Sequence, residues 1–150
     1  MEPFTLLDFI RESNRIEGIV RKVLPTERCA ANTFLASAAI GIEHMEMLVS
    51  AFQPDACLRS QAGMDVRVGR YTAPPGGKNI VADLEMLLHF VNSRQMDAYK
   101  AHLRYEMIHP FTDGNGRSGR MLWLWQIGGI ENAPLGFLHH FYYQTLANIK

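Results

Sequence analysis

Apolar residues recur at three- and four-residue spacing through most of the chain, the pattern of amphipathic helices. Leu6, Phe9, Ile10 and Ile16 form a first inward stripe in a helix running from about Phe4, which Gly18 should end, glycine being a common helix C-terminal cap. Phe34, Ala38, Ile42, Met45, Val49 and Phe52 read as one long stripe, and Leu84, Leu87, Leu88 and Val91 as a second. Met96, Tyr99, Leu103 and Met107 read as the apolar face of a third. The run "MLWLWQI" that follows Arg120 is apolar on every side, which predicts a central helix wrapped by the others. "PLGFLHHFYYQTLANI" predicts a last helix, whose His139 and His140 read as surface or packing residues rather than ligands. The fold class is mainly α, a helical bundle around a central buried helix.

Two segments break the helical period. Between Met64 and Val81, "MDVRVGRYTAPPGGKNIV" alternates Val66 and Val68 with Asp65 and Arg67, and Pro74-Pro75-Gly76-Gly77 marks a turn, so a short β-hairpin is expected at 64–81. Such a hairpin is either a plain surface element or an exposed strand edge able to pair with an extended peptide. The second break is "HPFTDGNGRSGR", His109 to Arg120, at the entry to the central helix.

Composition narrows the function classes. The chain has 150 residues, 47% hydrophobic and 20% charged, enough for one domain with its own core. Fifteen basic and fifteen acidic residues leave no net field for a polyanion, which disfavours a general nucleic-acid binder. Cys29 and Cys57 are too few and too far apart for a disulfide framework or a zinc site, so a reduced, cytoplasmic setting is expected. The start "MEPFTLLDFIRES" lacks the features of a secretory signal, and no apolar run reaches the ~18 residues of a membrane span, so no membrane partner is expected.

Within the second break, Gly114 to Gly119 spells G-x-G-x-x-G, the letters of a dinucleotide-binding turn. That turn needs a buried strand before it and an acidic residue roughly 20 positions on. Here helical residues precede the glycines and Glu131 is the only acid downstream, so a different chemistry is indicated. The first N–H groups of a helix form an anion site, and glycine lets a phosphate approach them. Arg117 and Arg120 lie three apart and suit phosphate oxygens; Asn115 offers an uncharged donor; Asp113 can hold Mg²⁺. His109 is the natural general base near neutral pH. Together these predict phosphoryl or nucleotidyl transfer.

"HPFTDGNGRSGR" also resembles the signature of Fic domain proteins, His-Pro-Phe-x-Asp/Glu-Gly-Asn-Gly-Arg-x-x-Arg, at every specified position. The resemblance extends to "AHLRYEMIHPF", to the proline-containing flap at 64–81 and to "YYQTL" near the end, and so covers essentially the whole chain. It implies the Fic fold and transfer of AMP from ATP to a Ser, Thr or Tyr hydroxyl of a target protein. His109 would deprotonate the hydroxyl and Asp113 would hold Mg²⁺. Asn115 with the Gly114 and Gly116 backbone would hold the α- and β-phosphates, Arg117 the β- and γ-phosphates, and Arg120 the γ-phosphate, while the 64–81 hairpin would clamp the target. Relatives that phosphorylate instead commonly have lysine after the asparagine, whereas this chain keeps Gly116 and Arg117.

A second signal lies in "ESNRIEGI". Glu17, just before the capping Gly18, would sit at the negative end of its helix dipole, unfavourable by about 0.3 to 1 kcal/mol, and would need a cation or simple solvation. Ser13-x-x-x-Glu17-Gly18 resembles the inhibitory motif of many Fic proteins, Ser/Thr-x-x-x-Glu-Gly/Asn. The resemblance implies that Glu17 pairs with Arg120 and blocks productive ATP binding. It divides the chain into an inhibitory region at 1–24 and a Fic core at 25–150. It allows an inhibited homodimer, and it leaves open removal of AMP from a modified target at the same site. A non-catalytic nucleotide-binding module is the alternative from another class, which the intact His109 and Asp113 disfavour.

Overall fold

A computed structural model describes residues 4–133, which form six α-helices, a two-stranded hairpin and a short 3₁₀ turn. Helix α1 (Leu6–Ile16) is started by a reciprocal cap: the Thr5 hydroxyl accepts from the Asp8 N–H at 3.2 Å, and the Thr5 N–H donates to the Asp8 carboxylate at 3.0 Å. Its Phe9 and Ile10 are fully buried. It ends as the sequence predicts. Gly18 takes the left-handed conformation (φ +77°), its N–H bonds to the Arg15 carbonyl, and the Ile19 N–H reaches back to Asn14, so Glu17 is the last residue of the helical spiral.

The long stripe from Phe34 to Phe52 is two helices rather than one, α2 (Pro25–Leu35) and α3 (Ile42–Phe52). The break has a local cause. The Asn92 side-chain amide binds both backbone groups of Ile40, accepting at 2.9 Å and donating at 2.8 Å, which gives that backbone a partner outside any helix. Gly41 then caps α3, its N–H donating to His44 Nδ1. Ala38, placed on the stripe by its spacing, is exposed.

The hairpin pairs β1 (Arg67–Val68) with β2 (Tyr71–Thr72), antiparallel, Arg67 opposite Thr72 and Val68 opposite Tyr71. Its turn is at Gly69-Arg70, with Gly69 at φ +58°, and not at Pro74 to Gly77 as the sequence suggested. Those four residues close the stem and lead into α4 (Lys78–Asn92), so the strands occupy less of 64–81 than expected. Gly76 is needed there: a Cβ would lie 2.5 Å from the Met64 carbonyl oxygen.

Helix α5 (Ala98–Ile108) corrects another expectation, because Tyr99, Leu103 and Met107 are 40% or more exposed. The buried face carries Ala101, His102, Tyr105, Glu106 and Ile108. This face packs on α6 (Asn115–Gln126), and Gly119 permits the approach, since a Cβ there would lie 2.8 Å from the Tyr105 ring. Met121, Leu122 and Leu124 of α6 are buried and the helix also contacts α1, α2 and α3, so it is the central element expected. The helix expected from "PLGFLHHFYYQTLANI", with His139 and His140, lies outside the described residues, as does "YYQTL". Among the described residues no helix is long and apolar enough to cross a membrane.

Candidate active site

His109 stands at the C-terminus of α5 in a left-handed conformation, φ 51° and ψ 61°. The following Pro110 explains why the helix stops here, since proline crowds the α conformation of the residue before it. The conformation costs of the order of 1 kcal/mol for a residue with a Cβ, so the surroundings must hold it. They do: the His109 carbonyl accepts from Arg59 Nε at 2.7 Å, and residues 57–59 run antiparallel to 110–112, with Arg59 N–H to Pro110 and Thr112 N–H to Cys57 both at 2.9 Å. The imidazole is largely buried, and burial lowers its pKa below the usual histidine value. The Glu106 carbonyl, Asp113 and Glu17 act against that shift, and the Arg59 charge adds to it. His109 is therefore neutral at pH 7, the form a base requires.

The turn after His109 is shaped by Asn115. Its side-chain amide accepts from the Phe111 N–H at 2.9 Å and donates to the Phe111 carbonyl at 2.8 Å, so the side chain is spent on folding the loop. What Asn115 presents to a ligand is backbone. Gly114 opens α6 at φ +79° without a side-chain cap, which leaves first-turn N–H groups and the positive end of the dipole available to an anion. Asp113 is exposed at this mouth, and its Oδ1 accepts from the Gly114 N–H at 2.8 Å.

The two arginines do different jobs. Arg117 donates to the Phe52 carbonyl at 3.0 Å and to Gln53 Oε1 at 2.8 Å, tying α6 to the end of α3, while its buried Nε has no hydrogen-bond partner. Arg120 is 1% exposed and is held by α1: Nε donates to the Ser13 hydroxyl at 2.7 Å, and Nη2 to the Ser13 carbonyl at 3.0 Å and to Glu17 Oε1 at 2.8 Å. The Glu17 carboxylate rests directly on Gly116, where any Cβ would collide with it. A carboxylate thus sits beside the first turn of α6 and on a buried guanidinium, where the sequence reading expected a phosphate.

Glu17, Ile19, Gln53, Val68, Glu106, His109, Asp113 and residues 114–117 line one cavity of about 330 Å³; Glu17, not Arg120, faces it. The structure therefore brings together His109, Asp113, Gly114, Asn115, Gly116, Arg117 and Glu17 around the cavity; Arg120 lies behind Glu17 and bonds both it and Ser13, and Gly18 ends the helix that carries them. Among the described residues no group of three His, Cys, Asp or Glu side chains is placed to hold a metal. The donor set still suits Mg²⁺ bound through one carboxylate, Asp113, with substrate phosphates and water supplying the rest.

Sequence reasoning missed Glu106 and Arg59. Burial pushes the Glu106 carboxyl up to about 7, and burial pushes its neighbour His102, 3.6 Å away, down to about 3, so the two are close to a neutral pair rather than an ion pair. The signal for Glu106 was present in the competing stripe Ala98, Ala101, Tyr105 and Ile108, which places Glu106 on the inner side of α5. Arg59, in the loop "ACLRSQAG", carries no local signal.

Comparison with known proteins agrees with the geometry. Protein adenylyltransferase Fic of Drosophila mojavensis is 38% identical over 56 residues, which is 33% of this chain and 11% of that protein. Its counterpart in Drosophila grimshawi is also 38% identical over 56 residues, covering 33% of this chain and 12% of that protein. The chain thus matches only about a tenth of the length of these relatives. No solved structure matches it. The Fic/DOC family model matches residues 45–127, more than half of the sequence and the stretch that supplies all of the cavity lining except Glu17 and Ile19, and on that ground this chain belongs to the Fic/DOC family.

Proposed function

We propose that this protein is a self-inhibited, Mg²⁺-dependent protein adenylyltransferase that moves AMP from ATP to a Ser, Thr or Tyr hydroxyl of a target protein. The observation that carries the proposal is the Glu17 carboxylate on Arg120 and Gly116 at a cavity shared with His109. It occupies a seat built for an anion, and a nucleotide's terminal phosphate is the anion that the surrounding backbone and guanidinium suit. The names of the Drosophila relatives support AMP as the group transferred.

In the proposed reaction His109 takes the proton of the target hydroxyl. The hydroxyl oxygen forms a bond to the α-phosphorus, the bond from that phosphorus to the bridging oxygen of the β-phosphate breaks, and pyrophosphate leaves. Residues 114–116 would hold the α- and β-phosphates through backbone N–H groups, Arg117 would stand beside the β- and γ-phosphates, and Arg120 would take the γ-phosphate once Glu17 withdraws. A Mg²⁺ ion on Asp113 would neutralise charge on the phosphates. Val68 of the hairpin lines the cavity, which supports the hairpin as the edge on which target backbone aligns.

Because Glu17 and His109 line the same cavity, the reverse use of the site, water attacking an AMP-modified target, is the second reading. ATP labelled at the α-phosphate, in parallel with ATP labelled at the γ-phosphate, separates the cases. The proposal expects α-label retained on a hydroxyl side chain with release of pyrophosphate. Retention of γ-label would make the protein a kinase, and free AMP from a modified target without any transfer would make it a hydrolase.

A further inference from the structure

Arg59 is fully buried, yet none of its hydrogen bonds goes to a carboxylate. Its guanidinium is spent on four backbone carbonyls from two separate parts of the chain. Nε and Nη2 donate to His109 at 2.7 Å and Ile108 at 2.9 Å, in the left-handed turn that presents the imidazole. Nη1 donates to Pro74 at 2.8 Å and Met64 at 3.1 Å, the two sides of the flap stem. The Arg59 carbonyl accepts from the Gly77 N–H at 2.9 Å, which closes the flap stem onto the start of α4. An arginine is suited to this and a lysine is not, because the planar fork reaches several acceptors at fixed angles.

We infer that Arg59 is a positioning residue that makes the flap stem and the His109 turn one mechanical unit, so that the edge on which a target aligns keeps a fixed place relative to the base. This rests on the proposed function for its catalytic meaning, but the coupling itself does not. Two further features agree. The Tyr71 hydroxyl of β2 donates to the Met107 carbonyl at 2.6 Å, a second tie between the flap and the end of α5. The charged groups acting on the His109 ring are Arg59, Asp113 from the following loop and Glu17 from α1, with the Glu106 side chain lining the same cavity from α5, so Arg59 also helps keep the base deprotonated.

Native-state amide hydrogen exchange on the unaltered chain tests the coupling without any variant. The amides of Met64 and Ala73 in the flap and of His109 and Phe111 in the turn should open as one unit, with the same denaturant dependence. Separate opening of the two sets overturns the inference. In Arg59→Lys, which keeps a charge but not the fork, both sets should lose protection together by at least tenfold, and α3 should not change. In Arg59→Gln, which removes both the fork and the charge, an NMR titration should show the His109 imidazole pKa raised and both sets of amides should again lose protection together; retained protection of either set in a folded variant contradicts the positioning role. In a Glu17→Gly background, Arg59→Lys should lower self-labelling from α-labelled ATP at least tenfold while ATP affinity by calorimetry stays constant. If Glu17→Gly with Arg59 intact gives no label, the proposed function fails, and the exchange experiment still decides the coupling.

Discussion

His102 and Glu106, side by side beneath the cavity, pull the pH dependence of stability in opposite directions. Glu106 holds its proton more tightly folded than unfolded, so its contribution is complete below its ordinary pKa of 4.5 and is lost as pH rises toward about 7. His102 is the reverse: held neutral by burial, it costs stability as pH falls from 6.5 toward about 3. Between roughly pH 4.5 and 6.5 the two slopes cancel. Glu106→Gln removes one of them, so the variant's stability should rise with pH across that window relative to the unaltered chain, by on the order of 1 kcal/mol per unit. Urea unfolding at several pH values checks this, and parallel curves for the two proteins would contradict it. His109 gives a second residue-level prediction. His109→Ala, in a Glu17→Gly background, should reduce AMP transfer by about 10² to 10⁴, the usual contribution of a general base, without loss of fold by circular dichroism. With His109 intact, activity should hold steady at neutral pH and fall only below pH 6.5, because burial lowers the imidazole pKa. Residues such as His109, Asp113 and Arg120 were legible in the sequence because they are contiguous in one motif. Arg59 and Glu106 were not, because what they do is defined by backbone and side chains far away along the chain.

At the scale of elements, α1 is held down at two places. Arg120 grips Ser13 and Glu17, and the buried carboxylate of Glu27 on α2 accepts from the Leu24 N–H at 2.7 Å, from Arg21 at 2.9 Å and from Asn14 at 3.4 Å. The second clamp makes no hydrogen bond to a cavity-lining side chain, although the Glu27 charge is felt at Arg117, so it acts mainly on the seating of α1. Glu27→Gln should weaken it by about 1 to 3 kcal/mol, expose residues 18–24 to limited proteolysis, and raise self-labelling by less than Glu17→Gly does. Unchanged proteolysis together with unchanged labelling would show that α1 needs only its Arg120 contacts. Elements whose ends are written in local chemistry were legible: the Gly18 stop and the entry of α6 at Gly114. Three misread elements depended on distant partners or on competing patterns. The helix from Phe34 to Phe52 is broken by Asn92, which lies 52 residues from Ile40. The face of α5 was misassigned because an exposed Tyr99, Leu103 and Met107 stripe looks more apolar than the buried one, which includes His102 and Glu106. The hairpin turn was placed at the prolines, whereas Gly69 supplies the positive φ.

At the scale of the whole molecule, the described helices bundle around the His109 cavity, and a helix at the N-terminal side of the chain places a carboxylate where the proposed function seats a phosphate. The mutual position of Glu17, Gly116 and Arg120 joins two motifs 103 residues apart, and no local argument connects them. Removing the carboxylate should free both the guanidinium and the space above Gly116. A shift of about 1.4 kcal/mol toward the productive pose already changes its population tenfold. Self-modification of Glu17→Gly with α-labelled ATP and Mg²⁺ is therefore the most direct measurement: labelling should rise at least tenfold over the unaltered chain and return to background in Glu17→Gly with His109→Ala. Labelling of Glu17→Gly no greater than that of the unaltered chain would contradict the account and leave Glu17 as a helix-end carboxylate paired with Arg120 for stability alone.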